Sequence, residues 1–434
     1  MGREMFPFSF PLPSMRDAMN LSTFKRVYNG YKNNKIAGLI VLMHLICVIP
    51  AQVVVREFST VACGNAQFEK YAPLLKGKRV GVVTNASGLV GKTSIVDTLL
   101  SLKVNVKRIF GPEHGFRGDA EAGDSVQSHL DKKTGLPVVS LYGKNRKPTP
   151  EQLKDLDVLV YDIQDVGVRF YTYIATMCYV MEACAENNKE CMVLDRPNPN
   201  GFYIDGPLLK PELRSFLGLH AVPIVYGMTC GEYAKMANGE GWLKNKAKCR
   251  LTVVTLKNYD RKASYKLPVK PSPNIPNEMA VLLYPGLGLF EGSVVSLGRG
   301  TPFPFQVIGH PLYKDTTFSF TPLASALSAT PKYRNEKCYG TDLRKSPYLT
   351  KHPKRIELSW LINMYKALAR PDFFDANFNY HAGNTTLQEQ IKKGLNEDEI
   401  RASWVEELKH FKQIRKKYLL YPDFEQAPDT RHSR

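Results

Sequence analysis

Four short apolar runs limit what this chain can fold into. They are Lys78–Thr84 (KRVGVVT), Val104–Phe110 (VNVKRIF), Val158–Asp162 (VLVYD) and Cys191–Asp195 (CMVLD). Each is four to eight residues long. Three are mostly continuous in apolar character and VNVKRIF is interrupted by Asn105, Lys107 and Arg108, and all four read as buried strands. Pro137–Tyr142 reads as a further short strand. Helical stretches separate them. Ser94–Leu102 has helical spacing of apolar residues, Thr149 caps a helix that opens Pro150-Glu151, and Tyr171–Asn187 is long and rich in Met, Ala and Cys. Strands alternating with helices imply an α/β fold with a parallel, doubly wound sheet and right-handed crossovers. Such sheets bind ligands beyond the C-terminal ends of their strands.

Polar residues collect at those ends: Asn85, Glu113, Asp162 with Asp165, and Asp195 with Arg196. The loop Phe110–Asp124 (FGPEHGFRGDAEAGD) is the richest of them. Asp165 also reads as a helix cap, and Glu113 as an ion-pair partner of Arg117 or Arg169. Downstream, Pro223–Tyr226 is expected to add a strand. Thr229–Gly239 is expected to form a helix with a Thr229/Glu232 capping box. Leu251–Leu256 alternates as a strand. Lys270–Asn277 is a Pro-locked loop carrying Asn274 and Asn277, and Gly286–Gly300 is Gly-rich around Glu291 and Arg299. Ser325–Asp342 reads as helix and loop. Leu387–Gly394 and Glu397–Tyr418 read as helices, the latter with an apolar face at Ile400, Trp404, Leu408, Phe411 and Ile414. The expected organisation is a leader at 1–66, the sheet domain at 67–225, a C-terminal domain at 226–426 and a tail at 427–434.

Several function classes are disfavoured. Gly286–Gly300 reads GxGxxE and lacks the last Gly of a dinucleotide fingerprint. Gly88–Thr93 ends in GKT without the first Gly of a phosphate loop, and no GxSxG elbow occurs. The eight Cys include no CxxC pair, and no HExxH accompanies His114, so neither metal nor cofactor is expected. Lys and Arg exceed Asp and Glu by 59 − 41 = 18, which favours a polyanionic partner. No nucleic-acid motif is present, leaving an acidic wall polymer or a membrane surface. Lys25, Arg26, Lys32 and Lys35 precede the apolar run Ile36–Ile49, the pattern of an export signal. Thr60-Val61-Ala62-Cys63 is an imperfect lipoprotein box, so export to the cell envelope is expected, with possible lipid attachment at Cys63 as the only membrane association besides the leader itself.

What remains is carboxylate chemistry. Cleaving a glycosidic bond needs a proton donor for the leaving oxygen and a second group that assists attack. Glu113, in its Gly-lined loop, suits the first role, and Asp162 and Asp165 are candidates for the second. The strings VGVVTNASG, GPEHGFRGDAEAGD, DIQDVGVRFYTY, DRPNPNG, PSPNIPN, LYPGLGLFEGSVVSLGRGT and EIRASWVEELKHFKQIRKKYLLY, spread from Tyr71 to Pro422, resemble the exo-acting β-N-acetylmuramidases. The resemblance implies a Rossmann-like N-terminal domain, a smaller α+β C-terminal domain and an active-site cleft between them. It also implies removal of N-acetylmuramic acid from non-reducing ends of peptidoglycan fragments, and it maps the family's proposed catalytic Glu onto Glu113. The motif residues expected at the substrate are Asn85, His114, Arg117, Arg169, Tyr171, Arg196, Asn274, Asn277, Glu291 and Arg299. The sugar's lactyl carboxylate calls for a charge-assisted donor, and Arg117, Arg169, Arg196 and Arg299 are the motif arginines that could supply it. A non-catalytic wall-binding protein on the same fold is the competing reading. A nucleotide-using enzyme is a third.

Overall fold

The computed structural model of the chain describes residues 61–117, 129–263, 265–350 and 354–425. The basic and apolar leader at 25–49, the second half of the Glu113 loop and the tail at 427–434 lie outside the described residues.

The strands are β1 (Arg79–Thr84), β2 (Leu89–Val90), β3 (Thr93–Ser94), β4 (Asn105–Gly111), β5 (His129–Leu130), β6 (Pro137–Ser140), β7 (Val158–Asp162), β8 (Glu190–Leu194) and β9 (Arg250–Val254). Apart from the β2–β3 hairpin, they make one seven-stranded sheet in the order β5-β6-β4-β1-β7-β8-β9. All its pairs are parallel except β5–β6. The chain thus runs outward from β1 to β6 on one side, then returns and runs outward from β7 to β9 on the other. The switch point lies between β1 and β7.

Apolar side chains on both faces of each strand explain why the sheet is central. Val80 and Val82 of β1 pack with Tyr71, Ile95 and Leu99 on one face. Val83 points the other way, into a larger core with Phe110, Met177 and Met181. Ser94 caps the helix Ile95–Ser101, accepting from Val96 N–H. Thr149 and Gln152 form a capping box, as do Thr229 and Glu232 on the helix Cys230–Gly239.

A smaller three-stranded antiparallel sheet follows, with β10 (Val307–His310), β11 (Ser319–Phe320) and β12 (Cys338–Asp342) in the order β10-β12-β11. C-terminal helices at Ser359–Leu368, Phe378–Ala382, Thr386–Lys392, Glu397–Ala402 and Val405–Lys416 complete the fold.

Several sequence expectations change. Pro223–Tyr226 joins no sheet; Val225 makes only isolated bridges to Val168 and Asp205. Ser325–Asp342 contains no helix and ends in β12. The helix expected over Glu397–Tyr418 is broken at Ser403–Trp404 into two, with Trp404 buried at the break. The boundary expected at 225/226 separates β9 from its own sheet. The larger core also joins Val83 to Phe411, and the described residues belong to one compact unit. The fold also starts before Gln67: Ala62 and Lys257 exchange backbone hydrogen bonds, and Asn65 donates to Asp162 Oδ2 at 2.9 Å.

Candidate active site

Beyond the C-terminal end of β4 the chain reverses sharply. Gly115 N–H donates to the Pro112 carbonyl at 2.9 Å, with His114 and Gly115 both at positive φ, 69° and 70°. A Cβ on Gly111 would lie 3.0 Å from Phe116 N, so glycine lets the loop fold back on its own strand. The reversal turns Glu113 and His114 into a cavity of about 520 Å³, a size typical of small-molecule sites.

Thr172 lies at the N-cap position of the helix Tyr173–Glu186, yet its side chain makes no capping bond. Its hydroxyl donates instead to Glu113 Oε2 at 2.8 Å. Tyr171, Tyr173 and Tyr284 stand beside it in edge-to-face contact, with centroids 4.8 Å apart for Tyr171–Tyr173 and 6.0 Å for Tyr171–Tyr284. Tyr171 fixes its ring by donating to the Pro271 carbonyl at 2.9 Å. These rings form an apolar wall of the kind that holds a sugar face.

Glu291 lines the same cavity from the turn after the helix Glu278–Leu287. Arg299 approaches its Oε1 at 2.6 Å and His381 Nε2 its Oε2 at 3.4 Å. Burial would push this carboxyl up, but the Arg299 charge and His381 outweigh it and hold Glu291 down to about 2. Burial, then the Glu291 charge, pushes the Tyr284 phenol well up against the opposing Arg299 charge.

Of the sequence candidates, Glu113, His114, Tyr171, Asn274, Glu291 and Arg299 meet in this cavity. Asn274 also donates to the Leu327 carbonyl at 3.2 Å. Asn85 does not line the cavity; its Oδ1 accepts from Ser87 N and Oγ at 2.9 and 2.6 Å.

The others serve the framework and do not line the cavity. Asp162 is fully buried against Arg196, with Nε–Oδ1 2.6 Å and Nη2–Oδ2 3.0 Å. Asp165 is not a helix cap; its Oδ2 accepts from Gly167 N–H at 2.7 Å and from the Tyr226 hydroxyl. Burial pushes the Asp165 carboxyl up to about 6 despite those donors, and does the same to Asp195. Arg117 pairs with Asp131 at 2.8 Å. Buried Arg169 donates to the carbonyls of Pro207, Val222, His381 and Ala382 at 2.7–3.0 Å. Neither arginine pairs with Glu113. Asn277 caps the helix Glu278–Leu287 and donates to Gln306.

Sequence reasoning missed Thr172, Tyr173 and Tyr284, and also Arg146, Arg214 and Phe216, which line the cavity too. Tyr173 stands inside the quoted motif DIQDVGVRFYTY, so the signal was present. Arg146 and Arg214 lie in ordinary polar stretches and carried none.

Residues 80–279 match the family model for the N-terminal part of exo-β-N-acetylmuramidase NamZ, and residues 282–421 that for its C-terminal part. The peptidoglycan β-N-acetylmuramidase NamZ of Bacillus subtilis (strain 168) is 43% identical over 376 residues, which cover 81% of this chain and 89% of that protein. Two crystal structures of DUF1343 family proteins from Bacteroides fragilis NCTC 9343 share the fold. One has a TM-score of 0.78 at 43% identity and covers 84% of this chain and 100% of its own. The other has 0.73 at 33%, covering 83% and 99%. With both family models matched in tandem over most of its length, this chain belongs to the exo-β-N-acetylmuramidase family.

Proposed function

We propose that this protein hydrolyses the glycosidic bond of N-acetylmuramic acid at the non-reducing end of peptidoglycan fragments, with Glu113 as the proton-transferring residue. The observation that carries the reading is Glu113 itself. It is a carboxylate at a strand end, facing an aromatic-walled cavity and held by Thr172, in a chain of this family. The Glu113 proton passes to the leaving oxygen as the bond to the anomeric carbon breaks. Water supplies the hydroxyl that the carbon gains and the proton that restores Glu113. Positive charge develops on the sugar in between. Glu291, kept ionised by Arg299 and His381, is the anion in the same cavity that stabilises it, taking the second role from Asp162 and Asp165. The strand order, which reverses between β1 and β7, supports reading the large sheet as Rossmann-like, with the cavity beyond its C-terminal edge.

The direct test is release of 4-nitrophenol from its β-N-acetylmuramide by the purified protein. Turnover is expected. A folded wild-type protein with none would favour a wall-binding role. For location, the basic-then-apolar pattern of residues 25–49 supports export, with the mature chain starting between Ala51 and Gln67. N-terminal sequencing of protein from the envelope tests this, and an intact start in a cytoplasmic fraction would contradict it. Fatty-acid labelling would reveal attachment at Cys63, whose thiol lies 3.6 Å from the Tyr265 hydroxyl.

A further inference from the structure

We infer that Arg146 and Arg214 form a clamp that reads the lactyl carboxylate, the charge by which N-acetylmuramic acid differs from N-acetylglucosamine. The inference rests on the substrate proposed above. It begins with a mismatch. Such a carboxylate asks for a guanidinium with donors to spare. Three of the four motif arginines have internal partners: Asp131 for Arg117, four carbonyls for Arg169, and Asp162 for Arg196. Arg299 reaches the cavity but is committed to Glu291.

Arg146 and Arg214 differ. Both line the cavity and both are solvent-exposed. Among the described residues neither has an ion-pair partner. They come from separate segments of the chain and line the same cavity as Phe216. The Arg146 guanidinium lies over the Phe216 ring, 4.4 Å from its centroid. Phe216 is itself buried, with Tyr179 stacked at 6.2 Å and an interplanar angle of 5°. A guanidinium attracted to a ring by cation–π contact spends no N–H donor on a hydrogen bond there, which leaves its donors for a carboxylate. Arg214 enters from the tight turn Ser215–Gly218, where each residue's N–H donates to the other's carbonyl at 3.0 Å. Two separate segments therefore bring two exposed cations to the cavity that Glu113 also lines.

Such a clamp has a further chemical consequence. When a stem peptide is amide-linked to the lactyl group, that carboxylate is gone. Fragments bearing a stem should therefore be weaker ligands at this point than the free acid.

The experiment compares free N-acetylmuramic acid with its lactyl carboxamide, binding to the full chain by calorimetry. It uses wild type, Arg146→Met, Arg214→Met and the double variant, with melting curves to confirm folding. Wild type should prefer the acid by roughly tenfold or more, as charge-assisted hydrogen bonds imply. The margin should shrink in each single variant and approach unity in the double. Arg146→Lys and Arg214→Lys should restore part of it, because a point charge replaces the fork. Equal binding of both ligands by wild type overturns the clamp, as does a margin that survives in the double variant. Turnover of the 4-nitrophenyl muramide is read separately. If the margin behaves as expected while no glycoside is cleaved, the clamp stands and the reaction proposed above falls.

Discussion

Glu113→Gln keeps the size of the side chain and its contact with Thr172 but removes the transferable proton. The rate on a natural disaccharide should fall by about 10²–10⁴-fold, with a smaller loss for 4-nitrophenyl glycosides, whose leaving group needs little protonation. Near wild-type cleavage of the disaccharide by folded variant would leave Glu113 a structural residue. Asp165 makes a different kind of prediction. Burial raises its carboxyl from 3.8 to about 6, so between those values the folded protein keeps a proton that the unfolded chain gives up. Its contribution to stability therefore falls as pH rises through that window. Asn carries no charge at any pH, so Asp165→Asn should gain on wild type between pH 4 and 7, by about 3 kcal/mol at most. Denaturant unfolding of both proteins at the two pH values checks this, and a constant difference would refute it. Asp165 also shows why individual site residues were only partly legible. A carboxylate at a strand end looks the same in sequence whether it turns to a cavity, as Glu113 does, or inward to Arg196, as Asp162 does. The side on which a loop lands is decided by backbone reversals such as that at His114 and Gly115, which no periodicity encodes.

Among elements, the parallel strands could be read directly. A strand buried on both faces leaves a run of apolar residues that few other structures require. The observed β1, β4, β7 and β8 lie within a residue or so of the expected runs. The second half of the chain was less legible. The helix Glu278–Leu287 carries Pro285 inside it and Gly286 near its end, and three prolines precede it at 271, 273 and 276, so its local signals resemble a loop. Asn277, expected at the substrate, is that helix's N-cap and accepts from Ala280 N–H at 2.9 Å. Asn277→Ala should cost about 1 kcal/mol of stability. Its kcat/KM should remain near wild type in the folded protein. A loss of turnover without loss of stability would return Asn277 to the site. β10 and β12 escaped notice because each is four or five residues long and includes a Gly, at 309 and 340, in their close pairing.

At the scale of the whole molecule, the excess of 18 positive charges should draw anionic fragments to the protein. Raising NaCl from ~0.05 to ~0.5 M shortens the screening length severalfold. kcat/KM on acidic wall fragments should drop more steeply than on an uncharged glucosaminide, and parallel curves would assign the charge to some other partner. The buried Arg169 has a separate consequence, for the order in which the protein is made. Two of its four acceptors, the carbonyls of Pro207 and Val222, lie close to it in sequence, but those of His381 and Ala382 are translated more than 200 residues later. His381 is also the partner of Glu291. All strands of the large sheet have been synthesised by Val254, whereas the wall of the cavity waits for residues near 382 to emerge. A ribosome-stalled chain ending near residue 370 should thus hold a protease-resistant sheet and cleave nothing. Activity should appear only when the polypeptide that buries Arg169 has left the exit tunnel.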